Sequence, residues 1–239
     1  MRQVTDYVVG TQAHDGGPAI ATAQGVLLGL KAAVTFRWQL ASLKGLKVAV
    51  QGLGNVGKKL CHYLYQQGAQ LFVSDLDTQK TEFVQQQYHA TVVPPSQITT
   101  LEVDVFLPCA MGGVIHPSML PGLKAPIIAG CANNQLEDAH RDAALLKQKD
   151  ILYCPDFVIN SGGLINVYHE LIGYQSVRAT EHIHSIYGTL LEIFNWARHF
   201  DISTVEAAQQ VAHCRRLHSY TATKHCTDCL PESAIGKVS

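Results

Sequence analysis

Three glycines and one acid carry the most legible chemistry in this sequence. Gly52, Gly54 and Gly57 follow a Gly-x-Gly-x-x-Gly spacing, and Asp75 lies eighteen residues beyond the last of them. In such a turn the first glycine permits a tight reversal and the second lets the backbone approach a pyrophosphate. The third lets the next helix pack closely on its strand. Amide N–H groups at the start of that helix, at Asn55 and Val56, would hold the diphosphate. Asp75 falls at the tip of a second apolar run, where a carboxylate accepts hydrogen bonds from both hydroxyls of an adenosine ribose. It would repel a 2′-phosphate, so the pattern favours NAD over NADP. Asp77 adds to that charge, and Lys80 is the one residue that opposes it.

A bare glycine spacing is weak evidence, because glycines cluster in many turns. Its flanks give it meaning: the apolar run 47–51 precedes the turn, a helical pattern follows, and a second apolar run at 71–73 ends on the acid. Residues 46–77 therefore read as strand, turn, helix and strand. Three further stretches are rich in Gly, Ala and Asn: 108–113, 130–134 and 160–163. Ligands of an open α/β sheet sit outside the carboxyl ends of the strands, where such stretches follow apolar runs. Small residues there let a flat ring lie against backbone, and Asn both donates to and accepts from a carboxamide. The bland alternative, that Asn and Gly merely make turns, is even for each stretch alone and weaker for all three together.

The elements that must position these residues alternate along the chain. Residues 1–17 read as an extended segment and loop. A helix is expected over 21–40, with Val26, Leu30, Ala33 and Val34 on its apolar face. After Asp75 come a polar helix at 78–88, a short strand at 90–93, an apolar run at 103–107 and another at 127–129. A helix at 137–149 and a strand at 151–154 follow, then a loop over 155–163. Beyond Gly173 the pattern is helical, with Ile183, Ile186, Leu190, Phe194 and Ala197 as an apolar stripe. The last helix, 203–217, carries a Ser203 cap and Glu206 three residues on. Strands alternating with helices predict the α/β class, a doubly wound, mostly parallel sheet of the Rossmann type with C-terminal helices. The expected organisation is a lead-in segment and helix at 1–45, a dinucleotide-binding domain at 46–173, packed C-terminal helices at 174–217 and a tail at 218–239.

Composition narrows the partners. Of 239 residues 47% are apolar and 15% charged, and the net charge of −1 marks neither a nucleic-acid partner nor a membrane surface. The most apolar stretch, 19–34, is interrupted by Thr22, Gln24 and Lys31, so a membrane span is not expected. The N-terminus lacks a signal-peptide core, and a cytoplasmic location is the expectation. Seven scattered cysteines fit reduced thiols better than a disulfide framework. Cys226-x-x-Cys229 beside His225 is half a zinc site without a second half, and no metal is expected.

Five segments together resemble a known family. They are Thr22-Ala23-Gln24-Gly25, the Gly52-Leu53-Gly54-Asn55-Val56-Gly57 turn, Pro108-Cys109-Ala110-Met111-Gly112-Gly113, Ala129-Gly130-Cys131-Ala132-Asn133-Asn134-Gln135-Leu136, and Pro155-Asp156-Phe157-Val158-Ile159-Asn160-Ser161-Gly162-Gly163-Leu164-Ile165-Asn166-Val167. In order, over about residues 4–217, they are similar to the cofactor domain of the Glu/Leu/Phe/Val dehydrogenases, above all leucine and phenylalanine dehydrogenases. The resemblance implies oxidative deamination of an apolar L-amino acid to a 2-oxo acid, with hydride passed to NAD. It implies that Gly52, Gly54, Asn55 and Val56 hold the pyrophosphate and Asp75 the adenosine ribose. Cys109 and Ala110 would line the ribose path, while Thr22, Asn133 and Asn160 would position the nicotinamide. Leu164 and Val167 match positions that shape the substrate side-chain pocket. Being apolar, they suit a branched or aromatic substrate better than glutamate, whose second carboxylate needs a cation.

The family's lysines for the substrate carboxylate and for water activation have no counterpart in these residues, so no catalytic residue is assigned, Lys31 included. The chain is expected to be a cofactor domain whose other half comes from a longer chain or a partner chain. Its partners are then a small-molecule amino acid or 2-oxo acid and, as in the family, other subunits of a homo-oligomer. Two rival readings stand beside this one. The first is a non-catalytic NAD(H)-binding module. The second is a dehydrogenase of another family, for which His116 and His169 are the nearest catalytic candidates and each is more readily a surface or core histidine.

Overall fold

The computed structural model describes residues 17–218. Six strands form one sheet in the order β3-β2-β1-β4-β5-β6, and every pairing is parallel. They are β1 (Lys47–Gln51), β2 (Gln70–Ser74), β3 (Thr91–Val92), β4 (Val105–Pro108), β5 (Ile127–Ile128) and β6 (Leu152–Tyr153). The order runs outward from β1 in both directions, so neighbouring crossovers leave a crevice at the carboxyl ends of β1 and β4.

Strand periodicity sorts the core into two layers. Val48 and Val50 of β1, Val105 and Leu107 of β4, Ile127 and Leu152 face one side. Ala49, Phe106, Ile128 and Tyr153 face the other. The first side is covered by α1 (Gly17–Trp38), α2 (Asn55–Gln66), α7 (Ser176–Phe200) and α8 (Thr204–His218). The second meets α4 (Ala139–Gln148) and two 3-10 turns, at Ile98–Thr100 and Leu120–Gly122. A polar helix, α3 (Thr78–Tyr88), joins β2 to β3.

Most predicted elements are present with ends within four residues of those expected, and β1 and α3 match at both ends. α1 begins at Gly17 rather than at residue 21, because Pro18 is tolerated in a first turn whose N–H groups are unpaired anyway. By length and hydropathy α1 also passes for a membrane span. It packs instead as a core helix: Val26, Leu30, Ala32, Ala33 and Val34 are fully buried. The predicted α7 stripe, Ile183 to Ala197, is buried throughout. At the start of α8, Ser203 Oγ accepts from the Glu206 amide at 3.2 Å while the Ser203 amide donates to Glu206 Oε2 at 2.9 Å, a reciprocal capping box.

The predicted loop at 155–163 is helical. One turn, α5 (Asp156–Ile159), leads into α6 (Gly162–Leu171). The Pro155 carbonyl accepts from the Ile159 amide at 3.0 Å, which closes the turn. Packing then overrides the glycine signal: a Cβ on Gly162 would lie 2.1 Å from the Ala21 carbonyl oxygen. The Gly162-Gly163 pair lets α6 cross the first turn of α1 at backbone contact. Gly25 and Gly29 continue the close approach on α1, where a Cβ would run into Ile186 at 2.8 Å or Ile159 at 2.4 Å. Of the extended segment expected at 1–17 and the tail expected at 218–239, Gly17 and His218 are helical and the rest, with the Cys226, Cys229 and His225 group, lies outside the described residues.

Candidate functional site

The glycine turn leaves β1 with Gly52 at φ +100, a conformation that suits glycine. A Cβ there would stand 2.7 Å from both the amide and the Cβ of Ala110. Gly57 is held closer still: its Cβ would lie 2.1 Å from the Gly52 carbonyl oxygen. Gly54 is different. A Cβ on it would meet nothing within 4 Å, so no protein atom demands its smallness. It is the N-cap of α2 and supplies no side-chain cap. The amides of Asn55, Val56 and Gly57 at that helix start are thus left for an external acceptor, in keeping with the positive end of the helix dipole.

Asp75 ties this turn to β2. Its Oδ2 accepts from the Leu53 amide at 2.6 Å and its Oδ1 from the Asp77 amide at 2.9 Å. Lys80 Nζ stands 3.7 Å from Oδ1. Burial raises the Asp75 carboxyl, but the two amide donors and the Lys80 ammonium outweigh it and hold the group below the ordinary carboxylate range. Each oxygen accepts one amide and keeps a further lone pair, and the side chain remains 14% exposed. Asp77, read from sequence as added ribose charge, is spent on structure: its side chain accepts from the Gln79 amide and caps α3. Lys80 bridges both acids, lying 3.4 Å from Asp77 Oδ2.

The other end of the crevice is assembled from distant parts of the chain. Thr22, Val56, Cys131, Asn133, Asn160 and Leu164 line one cavity of about 500 Å³. Asn160 Nδ2 donates to Asn133 Oδ1 at 2.7 Å, so two amides far apart in sequence form one polar strip. Thr22 Oγ1 donates back to the Pro18 carbonyl, which leaves its oxygen as an acceptor. Gln135, fully buried, donates to the Gly130 and Ala132 carbonyls and shapes the loop that carries Cys131 and Asn133. Asp156 accepts from the Gln135 amide and thereby joins that loop to α5.

Of the sequence-predicted residues, Cys109 does not line this cavity. It lies behind the glycine turn, with its Cβ 3.7 Å from where a Gly57 Cβ would stand. Ala110 packs against Gly52. Leu164 lines the cavity and is 72% exposed. Val167, three residues on along α6, does not line it and is partly buried. Sequence reasoning missed Phe157, Ser161 and Gly163 as lining residues and Gln135 as the brace. The small-residue spacing of Ala21, Gly25 and Gly29 was the signal for the close α1–α6 crossing. His116 is bonded to Ser118 Oγ and lies apart from the cavity, while His169 is buried beside His182. Among the described residues no group of three or more His, Cys, Asp or Glu is placed to hold a metal.

Comparisons with known proteins bear on the family and the fold. The sequence profile of the glutamate/leucine/phenylalanine/valine dehydrogenases matches residues 73–212. The chain belongs to that family. It is 53% identical over 213 residues to an L-tryptophan dehydrogenase of Nostoc punctiforme, covering 89% of this chain and 60% of the relative. It is 42% identical over 216 residues to the leucine dehydrogenase of Geobacillus stearothermophilus, covering 89% and 59%. The crystal structure of the Nostoc punctiforme L-tryptophan dehydrogenase superposes with a TM-score of 0.86 at 51% identity, over 91% of this chain and 63% of that one. The hetero-hexameric glutamate dehydrogenase of Thermus thermophilus, at 22% identity and TM-score 0.68, shares the fold. This chain thus spans about 60% of the length of the curated relatives it matches. Its fold is the α/β, doubly wound parallel sheet expected from the sequence.

Proposed function

We propose that this chain is the nucleotide-binding part of an NAD-dependent dehydrogenase of apolar L-amino acids. The observation that carries the reading is the contrast among the three glycines. Gly52 and Gly57 are required by protein atoms that crowd them, whereas Gly54 faces open space at an uncapped helix start. That is where a diphosphate would need bare backbone, and the residues fit the cofactor. In this reading Gly52, Gly54, Asn55 and Val56 hold the pyrophosphate and Asp75 the ribose. Cys109 and Ala110 back the ribose path, and Thr22, Asn133 and Asn160 orient the nicotinamide. The bound NAD supplies the acceptor for the substrate's α-hydride.

Asp75 stays ionised through the working range and offers acceptors where a 2′-phosphate would bring two more charges, which supports NAD. Leu164, exposed in the cavity, is the proposed side-chain contact of the substrate, with Val167, three residues on along α6 and outside the cavity lining, backing it. The names of the relatives support leucine, phenylalanine and tryptophan as the class. Among the described residues the cavity lining carries no Lys, Asp or Glu, which supports a chain that binds and orients while the proton-transferring groups come from the remaining part of a dehydrogenase or from a partner chain. Residues 46–173 form the binding unit, with 17–45 and 174–217 as its packed flanks.

A chimera tests the reading. The N-terminal segment of the Geobacillus stearothermophilus leucine dehydrogenase that precedes its match to this chain is joined ahead of residue 17. It is assayed with NAD and leucine, phenylalanine, tryptophan or glutamate. NADH formation with one or more of the apolar three, and none with glutamate, is expected. A folded chimera that binds NADH and turns over none of the three would overturn the assignment.

A further inference from the structure

We propose that Cys109 and Cys131 are a dithiol modification site in the wall of the crevice, oxidised by a hydroperoxide to a disulfide, with Cys131 the attacking sulfur and Cys109 the resolving one. The placement follows from the sheet. β4 and β5 are paired neighbours, with Phe106 opposite Ile128. Three residues past that pair each chain reaches a cysteine. Parallel neighbours lie about 4.8 Å apart, within the roughly 4.4–6.8 Å Cα separation that a disulfide spans. Past β5 the Ala132 amide donates to the Pro108 carbonyl at 3.0 Å, so the two segments stay paired up to the cysteines.

The two sulfurs are not equivalent. Cys131 lines the 500 Å³ cavity beside Thr22, Asn133 and Asn160, open to a small oxidant. Cys109 is half-buried like Cys131, but it stands against Gly57 of α2 and does not line the cavity. Electrostatics follow the same division. The hydrogen bond from Cys109 lowers the Cys131 thiol against the opposing effect of burial, and that bond together with burial raises Cys109. The group that reaches the oxidant is the one that ionises first, as thiolate attack requires. The other thiols of the core supply the contrast. Cys61 and Cys154 are fully buried, Cys214 nearly so, and burial pushes the Cys61 thiol up to about 12.

The chemistry closes on named atoms. The Cys131 thiolate attacks one peroxide oxygen; the S–O bond forms, the O–O bond breaks, and the leaving oxygen takes a proton to depart as an alcohol or water. The Cys109 sulfur then attacks the sulfenic sulfur of Cys131; the S–S bond forms, the S–O bond breaks, and water leaves with the Cys109 proton. Two thiols are oxidised by two electrons and the peroxide is reduced by two. The new bond draws the wall of the crevice together at the place proposed for the nicotinamide ribose, so bound nucleotide and oxidation exclude one another. That last clause alone rests on the cofactor reading.

Hydrogen peroxide is added to the full chain, and cysteine-containing peptides are mapped by mass spectrometry after alkylation. A Cys109–Cys131 peptide pair with a loss of about 2 Da is expected ahead of any change at Cys61, Cys154 or Cys214. Cys109→Ser is expected to stop the reaction at a Cys131 sulfenic acid trapped by dimedone, and Cys131→Ser to leave Cys109 alkylatable. Oxidation elsewhere in the chain while Cys109 and Cys131 both stay alkylatable would overturn the proposal. At NADH ten times its Kd the bound form exceeds the free about tenfold, and bridge formation should slow by that factor. A bridge that forms at an unchanged rate would leave the dithiol in place and count against the cofactor reading instead.

Discussion

The two ends of the crevice are built in opposite ways. At the glycine turn the contacts are mostly local: Gly52, Leu53, Gly57 and Asp75 lie within one strand–helix–strand unit locked by protein hydrogen bonds, with Ala110 packed against Gly52 from the stretch after β4. At the other end Thr22, Asn133 and Asn160 come from α1, the loop after β5 and the end of α5, and they meet only because whole helices cross correctly. The first end is a rigid cradle set by backbone sterics. The second is a polar strip with an exposed leucine at its rim, and it depends on tertiary packing.

This contrast can be broken most severely at Gly57. A Cβ there meets the Gly52 carbonyl oxygen at 2.1 Å, backbone against backbone. Gly57→Ala should cost about 3 kcal/mol or more, read as a lowered urea midpoint, and should abolish NADH binding. Gly54→Ala, with open space around it, should leave the midpoint within about 0.5 kcal/mol while still weakening NADH. Equal stability losses at the two glycines would erase the distinction between them.

Asp75→Asn comes next. It removes a charged acceptor from the Leu53 amide and from the proposed ribose, so NADH affinity should fall at least about tenfold, or about 1.4 kcal/mol. Acid sensitivity gives an independent view. Burial raises the Asp142 carboxyl, but hydrogen bonds from the Arg141 guanidinium and the Asp138 amide outweigh it and bring the group below its ordinary value. Asp75 is likewise depressed. A depressed folded value means that each carboxylate contributes stability above its unfolded value, about 3.9. That contribution disappears as the pH falls through the lower folded one. Urea midpoints should therefore drop below about pH 4, and Asp142→Asn should flatten the drop.

Smaller effects belong to the assembled end. Asn160→Ala breaks the bond to Asn133 and should weaken NADH about fivefold, within the roughly 1 kcal/mol of one neutral hydrogen bond, with a small change in midpoint. Lys80→Ala, which removes a partly exposed ion pair, should alter the NADPH to NADH affinity ratio only about twofold. A change of tenfold or more would make Lys80 a selectivity residue.

The same division explains what could be read from the sequence. The apolar run 47–51 announced β1, and Ser203 with Glu206 announced the start of α8, because both signals are local. The turn from Gly52 to Asp75 was legible for that reason too. The helical α5–α6 segment was not: Asn160, Ser161, Gly162 and Gly163 read as a loop, and only the backbone contact of Gly162 with Ala21 makes them a helix crossing. Asp77 was read for its charge alone, although the helix expected at 78–88 already put it at the N-cap position, where its side chain accepts from the Gln79 amide. Gln135 gave no signal, since its brace joins carbonyls whose positions the loop itself decides.

The central claim, that the Gly54 cradle and Asp75 hold a dinucleotide, is tested most directly by calorimetric titration of the folded chain with NADH beside Asp75→Asn. The account predicts saturable binding of one NADH per chain, weakened at least about tenfold in the variant. A folded chain that binds no NADH, or a variant that binds it as well as the parent, would contradict it.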